Sequence, residues 1–536
     1  MTGSNVFDPV EEPRGPCAVP QSTLERDAAE LAGFGYRQRL DRTLGGFSAF
    51  AAGFSYLSVL TGSAQLFHLG YAAGGPAFFW TWPAVFVGQF LVALCFAELA
   101  ARYPLSGGVY QWSKQVGSAS IGWMAGWVYL ACSVITLAST SLALQAALPQ
   151  LHPWFQLVGR PGVSADAARN AVLLALLLVT ATTAVNAVGV RLLSRINNTG
   201  VFVEMFGVVL LIALLGLAAK RGPEVVFDGM GRGAGHALGA LGPALGASLM
   251  ATFVLYGFDT AGTLAEETDD PRRRAPRAIL LALASVGISG SLLVFVALRA
   301  APDLNDPALG RVGGGLAHLV KGALGSALGA PFLAVMVCSI IVCTLTVHAA
   351  AVRLLFSMAR DNALPFSRAL ACVSEGTRTP ALPALVVGVA AAALLFLNVN
   401  HARVIEALAS VAVVWANLAY LFVTIPQLLR RFRGETPTTT EGFGLFGWGM
   451  AVNLSAVVWG VAVVVNIGWP RPEIYGDGLL GRYGAAPVTF AMIAVGLLYD
   501  RLIRRHRAGV LDEHRSRPGT NGHRTTASTM ESPHVQ

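Results

Sequence analysis

Charged residues are scarce in this sequence. They make up 13% of its 536 residues, where a soluble domain carries about 25%. A chain so poor in charge cannot clothe a water-facing surface of its own size, which excludes an ordinary soluble protein. Lysine is nearly absent: Lys114, Lys220 and Lys321 stand alone, and arginine carries the rest of the basic charge. Cysteine is sparse as well. Cys17, Cys95, Cys132, Cys338, Cys343 and Cys372 form no C-x-x-C pair and mostly sit in apolar runs. They read as small packing residues, which excludes a disulfide framework or a thiolate metal site. Catalytic signatures are missing too. There is no H-E-x-x-H and no G-x-S-x-G, and the stretch Gly229–Gly235 has neither a preceding soluble strand nor a P-loop Lys-Ser/Thr. No enzyme, metal or cofactor is expected. The N-terminus is polar and acidic, and the first apolar run starts near Leu44, so no cleavable signal peptide is expected either.

What the chain has is long apolar runs; hydrophobic residues reach 54%. A hydrocarbon core of about 30 Å needs roughly 20 residues of helix, and in lipid the backbone must satisfy itself, so such runs are helices. The length criterion gives about twelve spans, near 44–69, 77–101, 118–148, 169–189, 196–219, 240–265, 277–300, 330–358, 381–399, 404–429, 446–468 and 484–503. The expected fold class is therefore an all-α integral membrane protein. Residues 1–40 read as a flexible tail, 41–505 as the transmembrane domain, and 506–536 as a disordered polar tail.

The net charge of +8 does not point to nucleic acid, because the arginines cluster at span ends. Arg37, Arg39 and Arg42 precede the first span; Arg191 and Arg195 separate the fourth and fifth. Arg272, Arg273, Arg274 and Arg277 follow the sixth, Arg430, Arg431 and Arg433 the tenth, and Arg501, Arg504, Arg505 and Arg507 the last. With twelve spans all these clusters fall on one side. The positive-inside rule makes that side the cytoplasm, with both termini inside an inner (plasma) membrane. Lys220, Arg221 and Arg311 fall on the other side, so the rule acts as a bias.

Two spans differ from the rest. The first carries Gly53, Ser55, Ser58, Thr61, Gly62, Ser63 and Gln65, and the sixth carries Tyr256, Gly257, Asp259, Thr260 and Gly262, all inside apolar sequence. They are five spans apart. Interrupted helices at corresponding positions of two halves point to a transporter site, and an odd number of spans per half inverts the second half. A break frees N–H groups that attract a carboxylate and C=O groups that attract an ammonium. A zwitterion fits such a pair. The candidate binding residues are Thr61, Gly62 and Ser63, with Tyr256, Gly257 and Phe258. The alternative is close helix packing through small residues.

Buried acids come next. Asp259 lies deep in the sixth span and could hold a proton, meet an amine or cap the broken helix. Glu204 in the fifth could carry a coupling proton or snorkel to the interface. Glu98 stands four residues before Arg102, which suggests a local ion pair or gate strut. His348 reads as a proton relay or a hydrogen-bonded core histidine. Three segments, 103–110, 266–271 and 358–365, mix helix stops with opposite charges, Glu267 among them. They suit gate contacts on the cytoplasmic side, or ordinary loop solvation.

These segments resemble the amino acid–polyamine–organocation permeases, most of all the branch with GABA, choline and amino acid permeases. The likeness rests on Phe54 and Ser55 through Thr61 and Gly62, then Gly74, Gly75 and Pro76. It continues through Ala97, Glu98 and Leu99, residues 103–112, Asn197 and Asn198, residues 256–260, 265–268 and 276–279. It ends with residues 353–356, 359–361 and 364–365. It covers residues 37 to 505. The resemblance implies a leucine-transporter-like 5+5 inverted repeat, about 44–219 and 240–429, with discontinuous helices 1 and 6 and peripheral helices at 446–503. It implies that backbone at Thr61–Ser63 and Tyr256–Phe258 holds a substrate's carboxylate and amine. Several such permeases place a span 5 lysine where a sodium ion sits in others; Glu204 falls near there and reverses that charge. The expected function is a proton-coupled amino acid permease working by alternating access. The alternatives are an exchanger, a GABA, choline or polyamine permease, and a transport-inactive nutrient sensor.

Overall fold

The computed structural model describes residues 23–160, 163–374, 376–399, 404–435, 442–475 and 479–516. Among the described residues there are helices, turns and two isolated bridges, and no strands. An amphipathic helix α1 (Thr23–Gly33) leads to α2 (Gly46–Leu57) and α3 (Val59–Gly74), two halves of one apolar run. A 3-10 turn with Pro76 connects to α4 (Thr81–Arg102). Next come α5 (Gly108–Val116), α6 (Ala119–Leu142), α7 (Leu144–Leu151), α8 (Ser164–Val188) and α9 (Val190–Leu217). The sixth expected span is again divided, into α10 (Leu241–Val254) and the single turn α11 (Thr260–Thr263). Then follow α12 (Pro271–Ala300), α13 (Gly315–Arg360, kinked at Gly325), α14 (Ser367–Leu370), α15 (Ala381–Leu395) and α16 (Val404–Phe432). The chain closes with α17 (Gly449–Gly468), α18 (Pro472–Tyr475), α19 (Leu479–Tyr483) and α20 (Ala486–Leu502).

Among the described residues, nine helical stretches are long and apolar enough to cross a membrane; the first, Gly46–Arg102, contains α2, α3 and α4. α10 and α15 are shorter apolar helices. Burial sorts these by place. The apolar windows of α6 and α16 are 78% buried, those of α17 and α20 only 28% and 11%. α6 and α16 pack on each other at the centre, and α17 and α20 lie at the rim. The outer surfaces are apolar: Phe202 and Phe206 of α9 are more than 60% exposed and one turn apart. Exposed apolar faces of this extent are what lipid contact requires.

The inner face of α9 is the opposite stripe, Asn197, Val201, Glu204, Val208 and Leu211, all buried at helical spacing. Glu204 therefore points into the bundle and does not snorkel. α3 packs on α10, and α2 on α11, so the two divided spans cross at their interruptions.

Two corrections concern the ends. Residues 23–40, expected as part of a flexible tail, are folded onto the bundle. Asp27, Leu31, Tyr36 and Leu40 are buried, and Asp27 accepts from the Asp270 N–H at 3.1 Å while facing Arg42 at 3.5 Å. Residues 506–516, expected to be disordered, pair with them: Arg37 N–H donates to His514 C=O and Ser516 N–H to Gly35 C=O. The remainder of both expected tails, 1–22 and 517–536, lies outside the described residues.

Candidate substrate site

The first interruption falls at Ser58, whose φ of 16° and ψ of 102° fit neither half-helix. Its hydroxyl caps α3 by accepting from the Thr61 N–H at 3.2 Å. The same hydroxyl lies 2.6 Å from Thr61 Oγ1 and donates to Glu204 Oε1 at 2.8 Å. Glu204 Oε1 also accepts from the Leu60 N–H at 3.4 Å. A carboxylate is thus aimed at the positive end of α3. Thr61, Gly62 and Ser63 form the first turn of that half-helix, a few residues beyond the break itself. Gly62 marks the crossing: a Cβ there would run into the Val254 side chain at the end of α10.

The second interruption spans residues 255–259. Gly257 has φ +94°, which an L side chain rarely adopts, and a Cβ there would strike the Tyr56 ring. Its N–H donates to the Tyr420 hydroxyl at 2.8 Å, and that hydroxyl donates to Asp259 Oδ1 at 2.6 Å. Tyr129 donates to the same oxygen at 2.6 Å. Asp259 C=O accepts from the Gly262 and Thr263 N–H groups, which closes the turn of α11. Tyr256 shares a 2.6 Å hydrogen bond with Thr136 and sits edge-on to Tyr56, ring centroids 6.2 Å apart. Phe258 packs among Phe96 and Tyr420, so its contribution is to wedge the unwound segment.

Several polar atoms at this crossing are buried without a protein partner among the described residues. They are Tyr56 OH, Ser63 Oγ, Gln65 Oε1, Asp259 Oδ2 and Glu204 Oε2. Buried polar groups are normally paired, so five on the two interruptions and their neighbour make this crossing the candidate ligand site. It offers hydroxyl donors and a helix end for an anion, and an acid and an amide oxygen for a cation. The sequence singled out Gln65 in the first span but did not reveal Tyr129, Thr136, Ser139 or Tyr420. Gln65 Nε2 donates to Ser139 at 2.5 Å. The available signal was the helical spacing of Tyr129, Thr136 and Ser139, which puts their hydroxyls on one face of α6.

Below the crossing, on the face where α1 and the chain end dock, buried ion pairs close the bundle. Glu267 faces Arg353 at 3.2 Å, both about 1% exposed. Glu266 holds Arg360 through two bonds of 2.7 and 2.8 Å and accepts from the Ser106 N–H. Asp361 takes Lys114 at 2.6 Å, Tyr36 at 2.9 Å and Tyr110 at 2.9 Å. The Arg360 guanidinium lies 4.1 Å over the Tyr36 ring. At Lys114 burial opposes the charge, but Asp361 and Tyr36 outweigh it and its pKa is raised, so the ammonium is held charged. Glu98 corrects the expectation of a local pair. It binds Arg431 and Gln427 of α16, not Arg102. Position 98 faces α16 across the core, and a partner there wins over one on the same helix. His348 has Nδ1 3.1 Å from Thr182 and Nε2 3.0 Å from the Ala384 carbonyl. Both nitrogens are engaged among α8, α13 and α15, as a core histidine.

The profile of the family described as amino acid permease matches residues 44–477. The amino-acid permease BAT1 of Arabidopsis thaliana is 26% identical over 507 residues, covering 90% of this chain and 96% of that protein. Its homologue in Oryza sativa subsp. japonica is 27% identical over 467 residues, 82% of this chain and 87% of that one. The low-affinity putrescine importer PlaP of Escherichia coli K12 is 26% identical over 332 residues, 57% and 64% of the two chains.

Proposed function

This chain belongs to the amino acid permease family, and from that premise we propose that it carries a small amino-acid-like solute by alternating access coupled to a proton. It is a multi-pass membrane transporter, not an enzyme. In our reading twelve spans form a 5+5 inverted repeat at about 44–219 and 240–429, with 446–503 peripheral. Residues 41–505 make the permease domain, and both termini lie in the cytoplasm of a cell whose inner (plasma) membrane holds the protein. The solute's carboxylate meets the start of α3 at Thr61, Gly62 and Ser63. Its ammonium meets Asp259 Oδ2 beside Tyr256 and Gly257. The observation that carries this reading is the set of unpartnered buried polar atoms on the two crossing interruptions.

The same geometry supports a role for Glu204. Its carboxylate already serves the α3 N-terminus through Leu60 N–H and Ser58. An ionised Glu204 and a substrate carboxylate would compete for one helix end, since two like charges there repel. A substrate that arrives together with a proton on Glu204 avoids that conflict. The ion pairs of Glu267, Glu266, Asp361 and Glu98 then form the closed inner gate, and opening inward requires exchanging them for water.

A second reading has support in the likeness to a putrescine importer and in Asp259, which suits a primary ammonium on any solute. The test of both is uptake of labelled amino acids, GABA, choline and putrescine into proteoliposomes, with and without an inward proton gradient. Gradient-driven accumulation of a zwitterion supports the reading. Uptake only into vesicles preloaded with a related solute would make the protein an exchanger. Binding with no uptake would make it a sensor.

A further inference from the structure

On the face away from the termini a cavity of about 930 Å³ opens between the end of α3, the start of α10 and the segment after α17. His68 on its wall lies seven residues, about two helical turns, from Thr61. The cavity thus lies about 10 Å along α3 from the crossing, where an antechamber would be. Its described side chains are basic: Arg232, His236, Arg311 and Arg471 join His68, and no Asp or Glu is among them, the side chain of Glu473 lying outside those described. Arg471 is tied to Asn466 through its carbonyl and side-chain oxygen. Arg232 lies 5.8 Å over the Tyr71 ring. Neither Arg232 nor Arg311 has a carboxylate within ion-pair distance among the described residues.

Acids stand nearby without lining the cavity, and Asp306 is close enough to feel the Arg311 charge. Asp228 accepts from the Met230 N–H and Asp303 from the Asn305 N–H, each at 2.8 Å. Asp306 accepts from the Ala308 N–H and meets His318 at 2.7 Å. A cleft lined by one sign of charge with low-dielectric walls focuses the field and raises or lowers the local concentration of charged solutes. The preference must act before the solute reaches Asp259, whose own charge favours ammonium groups.

Resting on the transport reading above, we propose that this antechamber is a charge filter that admits amino acids of net negative or zero charge, with acidic side chains favoured, and rejects diamines and basic amino acids. Arg232 and Arg311 are its specificity-determining residues. A zwitterion crosses it at little cost. A dication meets like charge at the entrance, so Asp259 receives the ammonium of an amino acid and not that of a polyamine.

The test is uptake by the full-length protein in proteoliposomes of glutamate, leucine, lysine and putrescine, at low and high salt. Glutamate should show the lowest KM, rising with salt. In the Arg232→Gln, Arg311→Gln double variant the glutamate-to-leucine ratio of kcat/KM should fall about tenfold, the lower end of such steering effects. The Arg232→Lys, Arg311→Lys variant should restore it. Lysine or putrescine carried with a KM as low as glutamate's would overturn the proposal, as would an unmoved ratio. A second readout does not need transport. Trp469 lines the cavity, and its fluorescence, isolated by difference against Trp469→Phe, should be quenched more by iodide than by caesium. The order should reverse in Arg232→Glu, Arg311→Glu. Equal quenching by both ions overturns the filter; no uptake of any solute with the iodide preference intact overturns the transport reading alone.

Discussion

Ser58 and Glu204 are 146 positions apart in sequence, and the hydroxyl of one donates to the carboxylate of the other at 2.8 Å. That bond fixes the break in the first span to a buried acid on α9. It also makes Glu204 the group whose protonation changes the charge at the α3 N-terminus. Glu204→Gln keeps the shape and removes the titration. With one proton coupled per solute, a one-unit pH gradient drives up to about tenfold accumulation. The variant should equilibrate its substrate without concentrating it. Gradient-driven accumulation by Glu204→Gln equal to the parent's would remove the residue from the coupling role.

Gly257 should tolerate nothing larger. Its backbone is left-handed and the Tyr56 ring fills the space a side chain needs. Gly257→Trp is expected to insert and express normally yet lose uptake, read as membrane-fraction protein against transport rate. Normal uptake by that variant would show that residues 255–259 are not at the solute's path.

Tyr420 joins the unwound backbone to the acid beside it. Tyr420→Phe leaves the Gly257 N–H without its partner and takes one of two donors from Asp259 Oδ1. An unsatisfied buried donor costs about 1–3 kcal/mol, or roughly five- to 150-fold in affinity where binding needs that geometry. Substrate affinity should fall by that range in equilibrium binding, with a smaller loss in Tyr129→Phe. Unchanged affinity in both would mean that the hydroxyls serve packing alone.

Part of this arrangement was legible in the sequence. Gly257 two residues before Asp259 in one apolar run, and Gly62 with its hydroxyl neighbours in the first apolar run, mark the two interrupted segments. The position of the first one was not legible. A lone Ser58 reads like any serine bonded to its own helix, and only the capping of Thr61 reveals its part. The face of Glu204 was ambiguous because α9 is apolar on both sides, and the packing of the bundle decides which side is inward. Partners on distant helices were out of reach: Tyr129 and Tyr420 meet Asp259 from 130 and 161 positions away. Glu98 shows the opposite error, where the neighbour four residues on, Arg102, conceals Arg431.

The pair of Glu267 and Arg353 gives a sharper test of the proposed gate than either residue alone. Removing one partner leaves a buried charge uncompensated, at about 3–5 kcal/mol. Arg353→Ala should therefore lower the midpoint of thermal unfolding in detergent and impair transport. The exchange Glu267→Arg with Arg353→Glu should recover a large part of both. Asn186, which accepts from Arg353 at 3.2 Å, limits the recovery because it is placed for the original arginine. An exchanged pair no better than the single variant would mean that the geometry of this contact, not its charge balance, is what the closed state needs.

The chain's two ends should govern how readily that gate opens. Leu511 N–H donates to the Arg360 carbonyl at 2.9 Å and Gly509 N–H to that of Asp361 at 3.1 Å, so the C-terminal segment covers the residues that form the ion pairs. His514 holds it down through Nε2, 3.0 Å from the Ala371 carbonyl. Burial, and then the Arg360 and Arg39 charges, push the pKa of His514 below its ordinary value of 6.5. A group lowered on docking is bound in its neutral form. Its contribution is present above the ordinary value and is lost as pH falls through the lowered one. Acidification on this face should therefore loosen the segment, and truncation after Arg507 should do the same at any pH. Hydrogen exchange of residues 31–40 and 353–364 reads both effects. Protection should fall between about pH 7.5 and pH 5.5, a range in which histidine titrates, and His514→Gln should flatten that dependence because its amide can still donate to Ala371. Equal protection at the two pH values in the parent, or no change on truncation, would make the docked ends a passive cover with no hold on the gate.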